Sequence, residues 1–220
     1  MAKLPTIAID GLAASGKGTL ARRLGKHLHY AVLDTGKLYR LIGLLSHKHN
    51  IAPDDEAALA TLAQNLNTTL QLSDLSDPAL KSDLASRLAS QTSQYQSVRD
   101  ALVDFQRSFA AAPPAEDGAR PWQGVILDGR DIGTVILPAA DIKFFITANP
   151  EIRAARRFEE LKETDPALTY DQVLTDLINR DKRDSTRSAA PAIAAPDAIT
   201  IDTSDMSITQ VMDTALAQLS

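Results

Sequence analysis

The chain has 220 residues, a formal net charge of -5 and no cysteine. An acidic chain is a poor candidate for a general nucleic-acid-binding protein, since those proteins usually present a strongly basic face. The lack of cysteine excludes disulfides, thiolate nucleophiles and zinc–thiolate sites. The length suits one α/β domain with a small insertion. The sequence shows no signal-peptide pattern and no bilayer-spanning apolar run, so we expect a cytoplasmic protein without membrane or nucleic-acid partners.

The first element of the chain predicts a phosphate-binding loop. A β-branched strand at residues 6–9 leads into a loop of small residues at 13–16, and a leucine stripe marks the following helix. Glycines let backbone N–H groups approach phosphate oxygens, and a helix N-terminus favours an anion. Lys17 is placed to reach the β- and γ-phosphates of a nucleotide.

The residue after this lysine departs from the usual pattern. A Ser or Thr normally follows the lysine and meets Mg²⁺ through its hydroxyl, whereas here Gly18 follows and Thr19 comes next. A glycine-rich turn before an ordinary helix is the alternative interpretation.

A second strand is predicted at residues 31–34, and Thr35 and Gly36 lead from it into a helix that carries Tyr39 and Arg40. Residues 54–109 are rich in Ala, Leu, Ser and Gln. Helical patterning covers residues 56–66, 78–88 and 93–109, with a strand-like piece at 68–72. We interpret this stretch as an inserted region that covers a substrate; plain packing helices are the alternative.

The next buried strand ends in a cluster of charged residues. Residues 124–128 form an apolar run that ends in Asp128, the pattern of a carboxylate that organises Mg²⁺ in phosphate-loop enzymes. An aspartate that only caps a turn is the alternative. Arg130 and Asp131 follow between two glycines, at the strand end where open α/β sheets bind ligands.

Arginine is concentrated in the following helices. After a strand at residues 142–146, a helix that starts at Pro150 carries Arg153, Arg156 and Arg157 on one face. A second helix, at residues 170–186, ends in a run of charged residues. Four of them have helical spacing, namely Arg180, Arg183, Asp184 and Arg187. A solvated face is the ordinary interpretation. However, six of the fourteen arginines lie between residues 153 and 187 of an acidic chain, which favours a polyanionic ligand.

The last unit is a strand at residues 198–202 and a helix from Ser207. The alternation of strands and helices along the chain predicts an α/β fold whose parallel sheet has helices on both faces.

Four stretches together resemble the bacterial cytidylate kinase family along nearly the full chain: residues 11–19, residues 34–36 with Tyr39 and Arg40, residues 128–134, and residues 180–187 followed by Ala190 and Pro191. The glycine after the lysine is itself what nucleoside monophosphate kinases show. The resemblance implies a three-layer P-loop NTPase fold with a five-stranded parallel sheet. Its core would be about 1–50 and 124–220, with a short NMP-binding insertion at 51–110, a loop at 110–123 and a helical lid at 150–187.

The resemblance also implies an activity and a set of site residues. The enzyme would transfer the γ-phosphoryl group of ATP to CMP or dCMP with Mg²⁺, as a monomer, in pyrimidine metabolism. The catalytic residues would be Lys17, Arg130 and Arg187. ATP would be bound by Gly11, Leu12, Ala13, Ala14, Ser15, Gly16, Lys17, Gly18, Thr19 and Arg157. CMP would be bound by Thr35, Tyr39, Arg40, Ser90, Arg99, Arg130, Asp131, Arg180, Asp184 and Arg187. Thr19 and Asp128 would serve the metal, Asp128 through water. Arg153, Arg157 and Arg183 look like lid and donor-phosphate arginines.

The sequence departs from the family pattern in two places, and two other functions compete with the kinase activity that the resemblance implies. Residues 70–80 are too short for the small antiparallel sheet that many family members insert there, and the loop at 110–123 is longer than expected. A kinase for another small acceptor is one rival. A nucleotide-dependent switch is the other, although the chain contains no Asn-Lys-x-Asp tetrapeptide for guanine and has Gly129, not glutamate, after Asp128.

Overall fold

Five short apolar runs of the chain form one parallel sheet. The computed structural model describes residues 3–115, 120–163, 165–188 and 190–219. The strands are β1 (Thr6–Gly11), β2 (Tyr30–Asp34), β3 (Gly124–Asp128), β4 (Ile142–Thr147) and β5 (Ile199–Asp202). Their order is β2-β3-β1-β4-β5, and every neighbouring pair is parallel. The central strands β1 and β3 are buried throughout, as expected for strands covered on both faces. The predicted five-stranded parallel sheet is confirmed.

Helices cover both faces of this sheet. They are α1 (Lys17–Leu28), α2 (Gly36–Lys48), α3 (Glu56–Thr69), α4 (Asp83–Thr92), α5 (Gln96–Ala111), α6 (Pro150–Leu161), α7 (Tyr170–Thr186) and α8 (Ile208–Leu216). One apolar core packs α2, α3 and α5 against the sheet, and a second core packs α1 and α8 against the opposite face. The result is a three-layer α/β/α arrangement.

The region between α2 and β3 differs in detail from the sequence prediction. The strand predicted at residues 68–72 is wrong: α3 continues to Thr69, and a 3₁₀ turn spans Leu72–Ser76. The hydroxyl of Thr69 donates to the carbonyl of Asn65, which satisfies this polar side chain within the helix.

The helix predicted at residues 78–88 is divided in two. A 3₁₀ turn at Pro78–Lys81 ends where Ser82 caps α4 by accepting a hydrogen bond from the N–H of Ala85. The third predicted helix begins at Gln96 and ends at Ala111. In the described chain, residues 70–80 contain only turns and no strand, which agrees with the expectation that this region is too short for an added sheet.

The loop at 110–123 lies only partly within the described residues, since 116–119 fall outside them. Trp122 donates from Nε1 to the carbonyl of Pro114, and its ring packs 4.9 Å from that of His29. Among the described helices, none combines the length and the apolar character needed to cross a membrane.

Candidate active site

Three aspartates stand at the ends of three neighbouring strands. Asp10 precedes the last residue of β1, Asp34 ends β2 and Asp128 ends β3. Asp34 and Asp128 are register partners. Because ligands of open α/β sheets bind at this carboxyl edge, the sheet itself brings these carboxylates to the loop between β1 and α1.

That loop is held in place by its glycines and by side chains from later in the chain. A Cβ atom at Gly11 would lie 2.1 Å from the carbonyl oxygen of Ile146, so no side chain fits there. Gly16 caps α1 in the left-handed region at φ 91°. The carbonyl of Ala13 accepts a hydrogen bond from Arg153, and that of Ser15 accepts one from Thr203. The loop therefore has a defined shape next to the N-terminus of α1.

Lys17 faces Asp128 across this edge. The Lys17 Nζ atom lies 3.9 Å from Asp128 Oδ1. Burial lowers the pKa of Lys17, with a further contribution from the Arg130 charge, and burial raises the pKa of Asp128. Asp128 Oδ1 is buried without a hydrogen-bond partner. A carboxylate in this state has an unused acceptor beside a cationic side chain.

The residues present fit a magnesium ion. The orphaned Asp128 oxygen and the Thr19 hydroxyl in the first turn of α1 are hard oxygen donors. Within the described residues no cluster of three or more His, Cys, Asp or Glu could hold a metal alone. Mg²⁺ does not require such a cluster, because it is usually bound through one or two carboxylates together with substrate phosphates and water.

Asp10 was not predicted as a site residue. Its carboxylate accepts hydrogen bonds from the N–H groups of Ile132 (2.8 Å) and Gly133 (2.7 Å). Burial raises the pKa of Asp10 to about 7. The two bonds fix the start of the π-helical turn Ile132–Ile136, which directly follows Arg130 and Asp131. The sequence signal that could have identified Asp10 is an aspartate at the end of a strand, and the same signal singled out Asp128.

Two arginines from distant segments share one carboxylate above this edge. Arg130 Nε lies 3.4 Å and Arg180 Nε 3.6 Å from Asp184 Oδ2. Burial, together with the Arg130 charge, lowers the pKa of Arg180 to about 10, which leaves it protonated at neutral pH. Arg40 and Arg157 are also close enough to act electrostatically on Arg180. The alternative of a solvated face therefore does not hold for Arg180 or for Asp184, which is only 5% exposed.

Three guanidinium nitrogens in this cluster make no hydrogen bond. They are the buried atoms Arg157 Nη2, Arg187 Nη2 and Arg180 Nε, of which the last has only its ion pair with Asp184. A buried donor without an acceptor is costly, and several in a cationic cluster indicate a place for an anion.

A second group of predicted residues lies beside the first. Arg99 is 4% exposed, forms an ion pair with Asp131 and stacks over the Tyr39 ring at 5.2 Å from its centroid. The Arg187 charge interacts with Asp131 and Tyr39. A cavity of about 200 Å³ adjoins this group, lined by Ser90, Gln94, Arg183, Asp184, Thr186 and Arg187. The structure thus brings most of the expected CMP-binding residues to one region.

Some predicted binding groups already have protein partners. The Thr35 hydroxyl is buried and donates to the carbonyl of Asp128 at 2.9 Å, and Arg40 donates to the carbonyl of Leu80. Arg153 and Arg156 are also engaged by other parts of the protein. Arg153 is 1% exposed and bonded to Ala148, Ala13 and Asp181, while Arg156 binds Thr203. Arg153 therefore has protein partners where the resemblance pointed to a lid or donor-phosphate arginine, and Arg156, to which the resemblance gave no role, has them as well.

The strand order, with a glycine-rich loop joining β1 to α1 and a lysine facing the end of β3, defines the chain as a P-loop kinase of the three-layer α/β type. A family model described as cytidylate kinase matches residues 7–220. The chain is 47% identical to a cytidylate kinase of Azorhizobium caulinodans over 211 residues, which covers 96% of both chains. It is also 47% identical to a cytidylate kinase of Rhodospirillum rubrum over 210 residues, covering 96% of this chain and 94% of that one. This chain belongs to the cytidylate kinase family, and the resemblance inferred from the motifs is confirmed.

A solved structure shares the fold at low sequence identity. The structure of an uncharacterized protein from Eubacterium ventriosum is 14% identical to this chain and covers 98% of both chains, with a TM-score of 0.51.

Proposed function

We propose that this chain is an ATP-dependent kinase that transfers the γ-phosphoryl group of ATP to CMP or dCMP, giving CDP or dCDP in pyrimidine metabolism. We further propose that it acts in the cytoplasm as a monomer, with Mg²⁺ bound to the nucleotide. The relatives named cytidylate kinases, which align with nearly the whole chain, support this activity.

The observation that carries the proposal is the Asp184 carboxylate between Arg130 and Arg180. Arg130 follows β3 and Arg180 lies on α7, so one contact joins the end of the sheet to a helix fifty residues further along. Lys17 lies close enough to feel the charges of both arginines. Cations from three segments therefore lie close together, as a reaction between two polyanions requires.

On this proposal the loop at residues 11–19 and Arg157 bind ATP. The backbone of the loop and Lys17 contact the β- and γ-phosphates. Thr19 and Asp128 serve a magnesium ion, Asp128 through water; when bound, this ion neutralises charge on the β- and γ-phosphates.

The acceptor is bound on the α7 side. Arg40, Arg130 and Arg187 bind its phosphate, Arg180 and Asp184 its ribose, and Ser90, Arg99 and Asp131 the edge of its base, with Thr35 and Tyr39 beside them. The buried Arg187 Nη2 atom, which makes no hydrogen bond, supports this arrangement.

The acceptor phosphate explains why the site requires no general base. A phosphomonoester has a second pKa of about 6 and is largely ionised at neutral pH, so its oxygen attacks without losing a proton. The residues have to position two nucleotides and supply fixed positive charge. Water competes as an acceptor, so the insertion (residues 51–110) and the lid (residues 150–187) must close only when both nucleotides are bound.

A coupled assay of ADP release tests the proposal. Mg-ATP is combined in turn with CMP, dCMP, UMP, AMP, GMP and shikimate. We expect CMP or dCMP to give the highest kcat/KM and ATP alone to give little ADP. Equal, feeble signals across the panel, or strong ATP hydrolysis without any acceptor, would contradict the proposal.

A further inference from the structure

Three serines lie along one buried face of α4 and its C-terminal cap. Ser86, Ser90 and Ser93 follow i, i+4, i+7 spacing and are 7%, 5% and 8% exposed. Serine is a weaker helix former than alanine and buries a polar group. Helix formation and packing would both favour alanine at Ser86 and Ser90, so the hydroxyls call for another explanation.

Each of these hydroxyls faces an arginine of α7 or its C-cap. Arg180 Nη1 donates to Ser86 Oγ at 2.6 Å, Arg183 Nη2 to Ser90 Oγ at 3.3 Å, and Arg187 Nη1 to Ser93 Oγ at 3.5 Å. Arg180, Arg183 and Arg187 have i, i+3, i+7 spacing, so two matching stripes meet. We call these three pairs the serine–arginine seam.

The hydrogen bonds of the seam are short at one end and long at the other. The contact is short at Ser86 and lengthens toward the C-terminal end of α4, where the 200 Å³ cavity lies beside Ser90 and Gln94. Ser90 and Arg187 line that cavity. The Ser86 end therefore joins the two segments, and the Ser93 end borders the space for a ligand.

The serines orient the guanidinium groups without using up their donors. Ser86 accepts from Nη1 of Arg180, whose Nε faces Asp184 Oδ2 at 3.6 Å. Ser93 accepts from Nη1 of Arg187 and the carbonyl of Ala190 accepts from its Nε, while Arg187 Nη2 stays without a hydrogen-bond partner. A guanidinium has five N–H donors in a rigid fork, so one bond to a hydroxyl fixes the plane in which the others point. A neutral hydroxyl also leaves the positive charge free for a phosphate.

We propose that Ser86 and Ser93 are positioning residues that orient Arg180 and Arg187 toward the nucleoside monophosphate, and that the seam links the insertion to the lid helix. The inference rests on the proposed function, because it assigns these arginines to the acceptor. The inference predicts different effects on the two nucleotides. Loss of a seam hydroxyl should weaken binding of the phosphoryl acceptor, CMP, and leave binding of the phosphoryl donor, ATP, unchanged.

The test compares Ser86→Ala and Ser93→Ala with Ser97→Ala. Ser97 is the control because its hydroxyl likewise links two helices through a charged side chain. It donates to Glu56, so it links α5 to α3 within the insertion and not to an arginine of α7. KM for CMP and for ATP, kcat, and the Kd of CMP by calorimetry are measured for each variant. A hydrogen bond to a charged group leads us to expect that KM and Kd for CMP rise about tenfold in Ser86→Ala and about threefold in Ser93→Ala. KM for ATP should stay within about twofold, and Ser97→Ala should match the wild type.

A double-mutant cycle separates positioning from general destabilisation. In an Arg180→Lys background, Ser86→Ala should add less than about twofold to KM for CMP, because the oriented fork is already gone. Ser86→Ala gains helix propensity but leaves Arg180 Nη1 without that acceptor, so thermal unfolding is measured alongside, and we expect the variant to unfold cooperatively like the wild type. Equal increases in KM for both nucleotides, additive effects in the cycle, or an unchanged Kd for CMP would overturn the proposed role of the seam. A wild-type protein that neither binds nor phosphorylates CMP would instead overturn the proposed function and the seam with it.

Discussion

Gly18 lies directly beside the carboxylate of Asp128: a Cβ atom at residue 18 would stand 3.0 Å from Oδ2. Other P-loops place a Ser or Thr at this position. Here the start of α1 packs closely on the end of β3, so a side chain at residue 18 would press on the Asp128 carboxylate. The glycine that looked like an imperfect motif is thus explained by tertiary packing.

We expect Gly18→Ala to lower kcat/KM about tenfold without lowering stability. The added methyl group crowds Asp128, and small displacements at a reacting centre are costly. Alanine is also the better helix former, which offsets the cost of crowding Asp128, so the melting temperature should change little. Steady-state kinetics and thermal unfolding monitored by circular dichroism check the two halves. Full activity in this variant would show that the position of Asp128 is not critical.

Asp10 should make the protein less stable as the pH rises from about 5 to about 7. Its carboxyl keeps its proton in the folded state up to a pKa of about 7, whereas the unfolded chain releases it near 3.8. Between these values the folded state binds more protons, so the free energy of unfolding falls with pH, and the span corresponds to about 4 kcal/mol. Above pH 7 both states are ionised and the slope ends.

Urea unfolding of the wild type and Asp10→Asn tests this pH dependence. The stability of the wild type relative to the variant should fall by roughly 1 kcal/mol per pH unit from about 5 to 7, then level off by about 8. A constant difference over this range would mean that Asp10 titrates in the folded protein at its ordinary pKa.

Arg187→Ala should lower kcat/KM for CMP roughly a hundredfold, which is about 3 kcal/mol, the typical effect of removing one preorganised donor. Its buried Nη2 atom has no partner and is available to a phosphate. Arg187→Lys should recover only part of the loss, because lysine lacks the planar fork. Near-normal turnover in the alanine variant would place α7 away from the chemistry.

Arg153 should matter for folding. Its guanidinium is enclosed and joins the carbonyls of Ala148 and Ala13 to the Asp181 carboxylate. Arg153→Ala should cost about 3 kcal/mol in the free energy of unfolding, because it leaves buried acceptors unpaired. Lys162→Ala is the control, since it removes an exposed ion pair with Glu159 on the same helix and should change stability by less than about 0.5 kcal/mol. Equal effects of the two substitutions would refute this role.

Local patterns predicted the sheet well, and they singled out residues that lie together at its carboxyl edge. The apolar runs around Ile7 and Ile126 are continuous because parallel strands are covered on both faces, and such runs can be read without a partner. The loop at residues 11–19 and the Arg130–Asp131 pair are contiguous in the chain, so their chemistry is visible locally. The strand predicted at residues 68–72 failed because β-branched residues at the end of a helix resemble a short strand.

The sequence by itself determined the phosphate-binding loop, the concentration of arginine in an acidic chain and the family, since each depends on residue types at short spacing. Only the tertiary structure decided which of the arginines carry the fold and which face the site, because guanidinium groups at one spacing look alike until their acceptors are known. It enclosed Arg153 against Asp181, placed Arg180 against Ser86, and set Gly18 beside Asp128. These partners are 28, 94 and 110 positions apart, and only packing brings them together.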